Sequence, residues 1–288
     1  MDITPETGRR SRIRPPKSPA TPIELRPPDP NDLSEWFPLL KATGIRVPRT
    51  TIIDSGRDDL LRVIDGDHHH DPELHDAWQS LIARIASAGN DLGWPIFLRT
   101  GQGSGKHQWR DTCYVVCPED VPNHVGNLIE WSAMADIVGL PDRFWAVREF
   151  LPLRYEFTAF LGMPVAREFR FFLRDGKVEC VHPYWPGSAI RNSSIPAAEW
   201  APKLTQQNRL NENERTFLID LIEGSLIGSP LRGRYWSFDM AQLALNVDMR
   251  EEDSWVAIDM ALGDLSFHWP DCDLGRRGQI NGPEPQSD

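Results

Sequence analysis

The stretch Ile96–Trp109, reading IFLRTGQGSGKHQW, constrains this chain more than any other. After Pro95 comes a short apolar run, Ile96-Phe97-Leu98, ending in Arg99-Thr100. Gly101, Gly103 and Gly105 then alternate with polar residues before Lys106 and His107. A strand running into a glycine-rich loop and a lysine is the layout of a phosphate cradle. Glycines let backbone N–H groups approach an anion, and the lysine adds charge. A Walker A loop needs G-x-x-x-x-G-K-[ST]. Here His107 follows Gly105-Lys106 and Thr100 stands where the first glycine belongs, so that loop type is excluded. An ordinary surface loop has the same composition, and this stretch alone does not separate the two.

What lies around the loop narrows the choice. With 288 residues, 40% of them hydrophobic and 25% charged, the chain has enough apolar surface for one large domain or two small ones. Its net charge of -11 argues against a duplex nucleic-acid binder working through a basic face. No apolar run approaches the ~20 residues of a membrane span, and no signal core opens the chain, so the expected location is the cytoplasm without a membrane or nucleic-acid partner. Cys113, Cys117, Cys180 and Cys272 are too scattered for a secreted disulfide scaffold. Cys113-x3-Cys117 reads as a pair of reduced thiols on a strand. The cluster Asp65, Asp67, His68, His69, His70, Asp71 holds metal-ligand chemistry, but consecutive histidines cannot all face one point, and a solvated loop is expected.

Along the chain, residues 1–32 are rich in proline and arginine and read as a disordered tail. An α/β region is expected over 33–94, with a helix over Glu35–Ala42, a strand over Thr50–Ile53 and a helix over Ala77–Ala88 ending at Gly89-Asn90. The strand at 95–99, the glycine loop and a strand over Asp111–Val116 form a flap, followed by a helix over Asn123–Leu140. Phe144–Val147 is a buried strand leading into Arg148-Glu149-Phe150-Leu151. Glu156–Leu161, a turn at Gly162-Met163-Pro164, Val165–Leu173, the turn Asp175-Gly176 and Lys177–Pro183 read as a three-stranded meander. On its middle strand Glu168 and Arg170 share one face. Residues 187–208 read as a loop, and Glu212–Leu226 as a helix. Tyr235–Ala241 and Trp255–Ala261 form a last hairpin, each strand reaching an aspartate after an apolar approach. Residues 271–288 read as a polar tail.

Taken in order, the glycine loop with Lys106, the REFLPL linker, the strand EFRFFLRDGKV and the paired aspartates resemble the ATP-grasp superfamily over most of residues 36–268. They are most similar to its diverged branch, which holds eukaryotic cell-division-cycle proteins that chaperone assembly of a translation initiation factor. Phage and bacterial ATP-grasp proteins of unassigned substrate are similar too. The resemblance implies an α+β ATP-grasp fold with nucleotide between two α+β lobes, a first lobe over 95–147 and a second over 148–270, and ATP and Mg2+ as ligands. It places Arg99 on the α-phosphate. Gly103, Ser104, Gly105 and Lys106 fall on the β- and γ-phosphates, and Glu149, Phe150 and Leu151 on the adenine edge. Glu156 or Glu168 would hold the ribose, Arg170 and Lys106 would serve as catalytic cations, and Asp239 and Asp259 as magnesium ligands. The family's usual acidic-x-Asn ending is Asp259-x-Ala261 here, so one metal ligand is absent unless Asp264 or His268 replaces it. The implied activity is ATP-dependent joining of a carboxylate to an amine through an acyl phosphate. A non-catalytic ATP-binding assembly module with a protein partner and a small-molecule kinase are the alternatives, and Ala261 favours the assembly module.

Overall fold

The computed structural model describes residues 28–135, 139–245, 250–270 and 272; of the tails expected over 1–32 and 271–288, residues 1–27, 271 and 273–288 lie outside them, as does Ile137. Asp32 caps the first helix, α1 (Leu33–Ala42), by accepting from the Ser34 N–H. The preceding residues are packed as well: Asn31 accepts from the Leu262 N–H at 2.8 Å and Asp29 from Gln102 at 2.6 Å. The chain continues through β1 (Thr50–Asp54), α2 (Leu61–Ile64), α3 (Pro72–Leu92), β2 (Ile96–Thr100), β3 (Tyr114–Val115), α4 (Val121–Met134) and β4 (Phe144–Glu149).

These four strands make one antiparallel sheet in the order β1-β4-β2-β3, so β1 belongs to the same sheet as the glycine-loop strand. Because side chains alternate along a strand, Ile96, Leu98, Trp145 and Val147 fall on one face. They form a core with Leu81 and Ile85 of α3 and Leu128 and Ile129 of α4. Phe97, Arg99 and Arg148 occupy the opposite face. Helix α3 runs past the expected stop at Gly89 to Leu92 and ends at Gly93, whose φ is 90°. Gly89 lies beneath the Trp94 ring, where a Cβ would come within 2.4 Å of it. The strand expected over Asp111–Val116 shrinks to two residues, since Asp111 and Thr112 turn back to the Gln108 carbonyl.

The second half contains β5 (Tyr155–Ala159), β6 (Met163–Ala166), β7 (Glu168–Arg174), β8 (Lys177–Pro183), α5 (Ala197–Gln207), α6 (Glu212–Ser225), β9 (Tyr235–Gln242) and β10 (Trp255–Leu262). The meander is divided between two sheets. β5 and β6 pair alone, while β10-β9-β7-β8 form a second four-stranded antiparallel sheet. The break falls at Arg167, whose buried guanidinium is held by Gln242, the Arg209 carbonyl and Glu214. The β5–β6 turn sits at Phe160, Leu161 and Gly162, all with positive φ, ahead of the expected position. Asp175 and Gly176 do form the β7–β8 turn, with φ of 50° and 73°. The loop expected at 187–208 contains α5, whose Trp200 packs on Phe157. Pro196 at its N-cap and Pro202 inside it make the segment read as loop.

One face of the second sheet carries Phe169, Phe171, Phe238 and Met240 and packs on Trp36 and Leu40 of α1 and Leu218 and Ile222 of α6. The other carries Glu168, Arg170 and Asp239. In β10 the register slips between Ala257 and Asp259: Ala257 opposes Met240, and Asp259, one residue further on than the ladder requires, opposes Asp239. Without that bulge Ile258 would face Asp239, and Asp259 would fall on the core side. The two α+β halves thus face each other across a cleft with charged residues on both sides.

Candidate functional site

The cleft encloses about 830 Å3 counting its open mouth. Phe97, Trp109, Phe150, Met163 and Ile258 give it apolar walls, while Arg99, Lys106, Arg148, Glu168 and Asp259 bring charge. An apolar slot with a few convergent charged groups is the usual build of a small-molecule site. Ser104, Glu149 and Leu151 also line it.

The glycine loop is packed rather than open. The Gly103 N–H donates to Thr100 Oγ1 at 3.2 Å, and a Cβ on Gly103 would lie 2.3 Å from the Trp131 ring. Gly105 has φ +57° and receives the Thr112 hydroxyl on its carbonyl. These glycines let the loop lie against Trp131 and Thr112, and Ser104 and Lys106 are the members that reach the cleft. The ammonium of Lys106 stands 3.8 Å over the Tyr184 ring. Desolvation works against its charge, but Glu168 and Tyr184 outweigh it and hold its pKa above the ordinary lysine value.

Each carboxylate expected at the metal is engaged by an arginine expected at phosphate. Arg99 Nη1 donates to Asp259 Oδ1 at 2.8 Å, linking β2 to β10. Arg170 donates from Nε and Nη2 to both oxygens of Asp239 at 2.7 Å, a bidentate fork. Burial raises the pKa of Asp259, but Arg99 and Arg148 reverse the direction and hold it below the carboxylate range. Burial lowers that of Arg170, and Asp239 overcomes it. Glu168 is buried in the same group, and burial pushes its carboxyl well up against the opposing pull of Lys106.

Other expected residues lie elsewhere or are occupied differently. Glu156 is exposed on β5, 3.7 Å from the Lys203 ammonium, and does not line the cleft; Glu168 does. The Glu149 carboxylate takes the Arg49 backbone N–H and guanidinium at 2.7 and 2.8 Å. Ala261 opposes Ser237. Asp264 is exposed on the turn Gly263–Leu265, and His268 is buried with Nε2 on the Tyr235 hydroxyl. Cys113 is buried and Cys117 faces Asp120, so the two thiols do not form a pair. Asp67 and Asp71 pair with Arg62, and His68 bonds the Val63 carbonyl.

Sequence reasoning missed Arg148. It is 4% exposed and donates from Nη1 to the Ile258 carbonyl at 2.6 Å, while its Nε and Nη2 are buried with no partner among the described residues. Burial and the neighbouring Arg99 push its pKa down to about 9. A charged residue directly after the apolar run Phe144–Val147 on the same strand was the available signal, because buried cations need an anion.

No family model and no curated protein matches the sequence. Among solved structures the chain is similar to C-terminally truncated Cdc123 from Schizosaccharomyces pombe, at 13% identity over 81% of this chain and 83% of that one, TM-score 0.48. It is also similar to a RimK domain ATP-grasp protein from Sphaerobacter thermophilus, at 13% identity over 81% and 59% of the two chains, TM-score 0.41. D-alanine–D-alanine ligase from Bacillus anthracis complexed with ATP gives 10% identity over 80% and 52%, TM-score 0.39. These scores carry no statement about chemistry. No helix among the described residues is long and apolar enough to cross a membrane. On its own geometry the described chain forms two α+β lobes about a cleft that Ser104 and Lys106 of the glycine-rich loop reach, the two-lobed α+β layout expected from the sequence.

Proposed function

We propose that the cleft binds ATP with Mg2+, and that the nucleotide fixes the two lobes against each other as part of a protein-assembly module. The observation that carries this reading is Arg148, a buried guanidinium on the cleft wall with two unpartnered donors. Asp259 answers part of the Arg148 charge, but two buried N–H donors without an acceptor among the described residues remain costly, and a ligand phosphate would satisfy them. The apolar walls suit a base, and the cations Arg99, Lys106 and Arg148 suit phosphates. Asp239 and Asp259, opposite each other across β9 and β10, offer two hard oxygen donors, a set Mg2+ accepts when phosphates complete its shell. Bound Mg2+ would supply the positive charge that lets triphosphate sit beside these carboxylates.

Ala261 opposes Ser237 and brings no donor, which favours one metal and a nucleotide held rather than consumed. The second reading, an ATP-dependent carboxylate–amine ligase, draws on Arg170 and Lys106, two cations close to Glu168 that could meet charge on a transferring phosphoryl group. A small-molecule kinase would use the same groups. Incubation with ATP, Mg2+, hydroxylamine and a library of carboxylates decides among them. An assembly module binds ATP and releases no ADP. A ligase releases ADP together with a hydroxamate, and a kinase releases ADP with a phosphorylated acceptor.

A further inference from the structure

Away from the cleft walls, β8 and the segment after β10 bring together Cys180, His182, His268 and Cys272, one potential ligand atom from each lying within 4.8 Å of all the others. We propose that these four residues form a structural zinc site that clasps the C-terminal segment to the edge of the second sheet. This goes beyond the nucleotide reading and does not depend on it.

The strand supplies the first half. Cys180 and His182 are two residues apart on β8, so both project from one face. Their cross-strand partners are Phe172 and Arg170, which identifies that face as the one turned to the cleft. The second half is His268-x3-Cys272, and Trp269 Nε1 ties this segment to the Pro183 carbonyl at 2.9 Å. In a tetrahedral site, zinc bonds of about 2.3 Å to sulfur and about 2.0–2.1 Å to nitrogen place ligand atoms roughly 3.3–3.8 Å apart. Cys180 Sγ and His268 Nδ1 already stand 3.8 Å apart. The remaining separations need only small side-chain movements.

Two further observations point to a metal rather than to chance proximity. His182 Nε2 is buried with no hydrogen-bond partner among the described residues, a costly state for an imidazole that has nothing to coordinate. His268 is oriented as metal-bound histidines are: Nε2 meets the Tyr235 hydroxyl at 2.9 Å, Nδ1 is left toward Cys180, and the ring stacks on Phe172 with centroids 3.5 Å apart. Two thiolates and two imidazoles without a carboxylate select zinc over magnesium, and four protein ligands leave no open position for catalysis. Two thiolates also cancel the charge of the ion, so it does not repel Arg170 next to His182. The edge strand β8, whose one partner among the described strands of its sheet is β7, gains a metal tie to the C-terminal segment.

The test uses the full chain, purified with reduced thiols, and reads metal content together with Co2+ titration of the metal-stripped protein. The expected result is one zinc per chain, and thiolate-to-cobalt charge-transfer and tetrahedral d–d bands that saturate at one equivalent. Cys180→Ser and His182→Ala should each weaken Co2+ binding at least tenfold, while Cys117→Ser should leave it unchanged. Wild-type protein that takes up neither zinc nor cobalt with its thiols reduced overturns the proposal. So does a Cys180–Cys272 disulfide in freshly prepared protein, or a cobalt spectrum unchanged in Cys180→Ser. Because the wild-type titration stands alone, a variant that fails to fold does not blunt the test.

Discussion

Arg99 and Asp259 meet at 2.8 Å between the two lobes, and the pair closes in miniature what a magnesium nucleotide would close in full. The arginine comes from the end of β2 and the aspartate from the bulged strand β10. Arg170 and Asp239 repeat the arrangement within the second sheet. Phosphate and Mg2+ together carry both signs, so their entry can exchange each arginine–carboxylate pair for arginine–phosphate and carboxylate–metal contacts. Asp259→Asn should therefore weaken ATP binding in Mg2+ by about 10–100-fold, the range of a charge-assisted contact, and change it little in EDTA. Calorimetry in both conditions checks this. An equal loss in the two would show that the aspartate acts only through packing.

Lys106 lies over Tyr184 and beside Glu168, on the charged side of the cleft. Lys106→Ala should cost ATP about 1.5–3 kcal/mol and adenosine much less. Competition measurements with both ligands compare them, and equal losses would reduce the lysine to a structural part of the loop.

Arg148 sets stability against binding. Replacing a buried, under-satisfied cation by an apolar side chain of similar length is often neutral or stabilising. Arg148→Met should leave the urea midpoint of the unliganded protein unchanged or higher, and lower ATP affinity at least tenfold. A strongly destabilised variant would mean that the guanidinium is already satisfied in the fold.

Glu168 gives a pH signature. Burial pushes its carboxyl from 4.5 up to about 7, against Lys106. The folded state then holds the proton more tightly than the unfolded chain, so this contribution is complete below pH 4.5 and is lost as pH rises toward 7. Between these values the unliganded wild type should lose stability relative to Glu168→Gln. Urea midpoints across the window measure the difference, and a gain for wild type would reverse the assigned direction.

Much of this was readable from residue order, and the gaps have physical causes. The alternation in Glu168–Arg174 showed that Glu168 and Arg170 share a face, because the period of a strand is local information. Asp175-Gly176 announced its turn for the same reason. The bulge at Ile258 is set by pairing with β9 and leaves no local mark, although it is what turns Asp259 toward Asp239. Helix α5 was hidden by Pro196 and Pro202, which its tertiary packing on Phe157 overrides. Arg148 looked like part of a linker motif until β1 and β2 closed around β4. Cys180 and His182 lie more than 80 positions before His268 and Cys272, too far for spacing to link them.

ATP binding to the wild-type protein, followed by calorimetry with Mg2+ and again with EDTA, tests the central claim most directly. Exchange of the Arg99–Asp259 and Arg170–Asp239 pairs for contacts with phosphate and metal predicts one ATP per chain, bound at least tenfold more tightly with Mg2+. Equal affinity in the two conditions, or no binding in either, would contradict it.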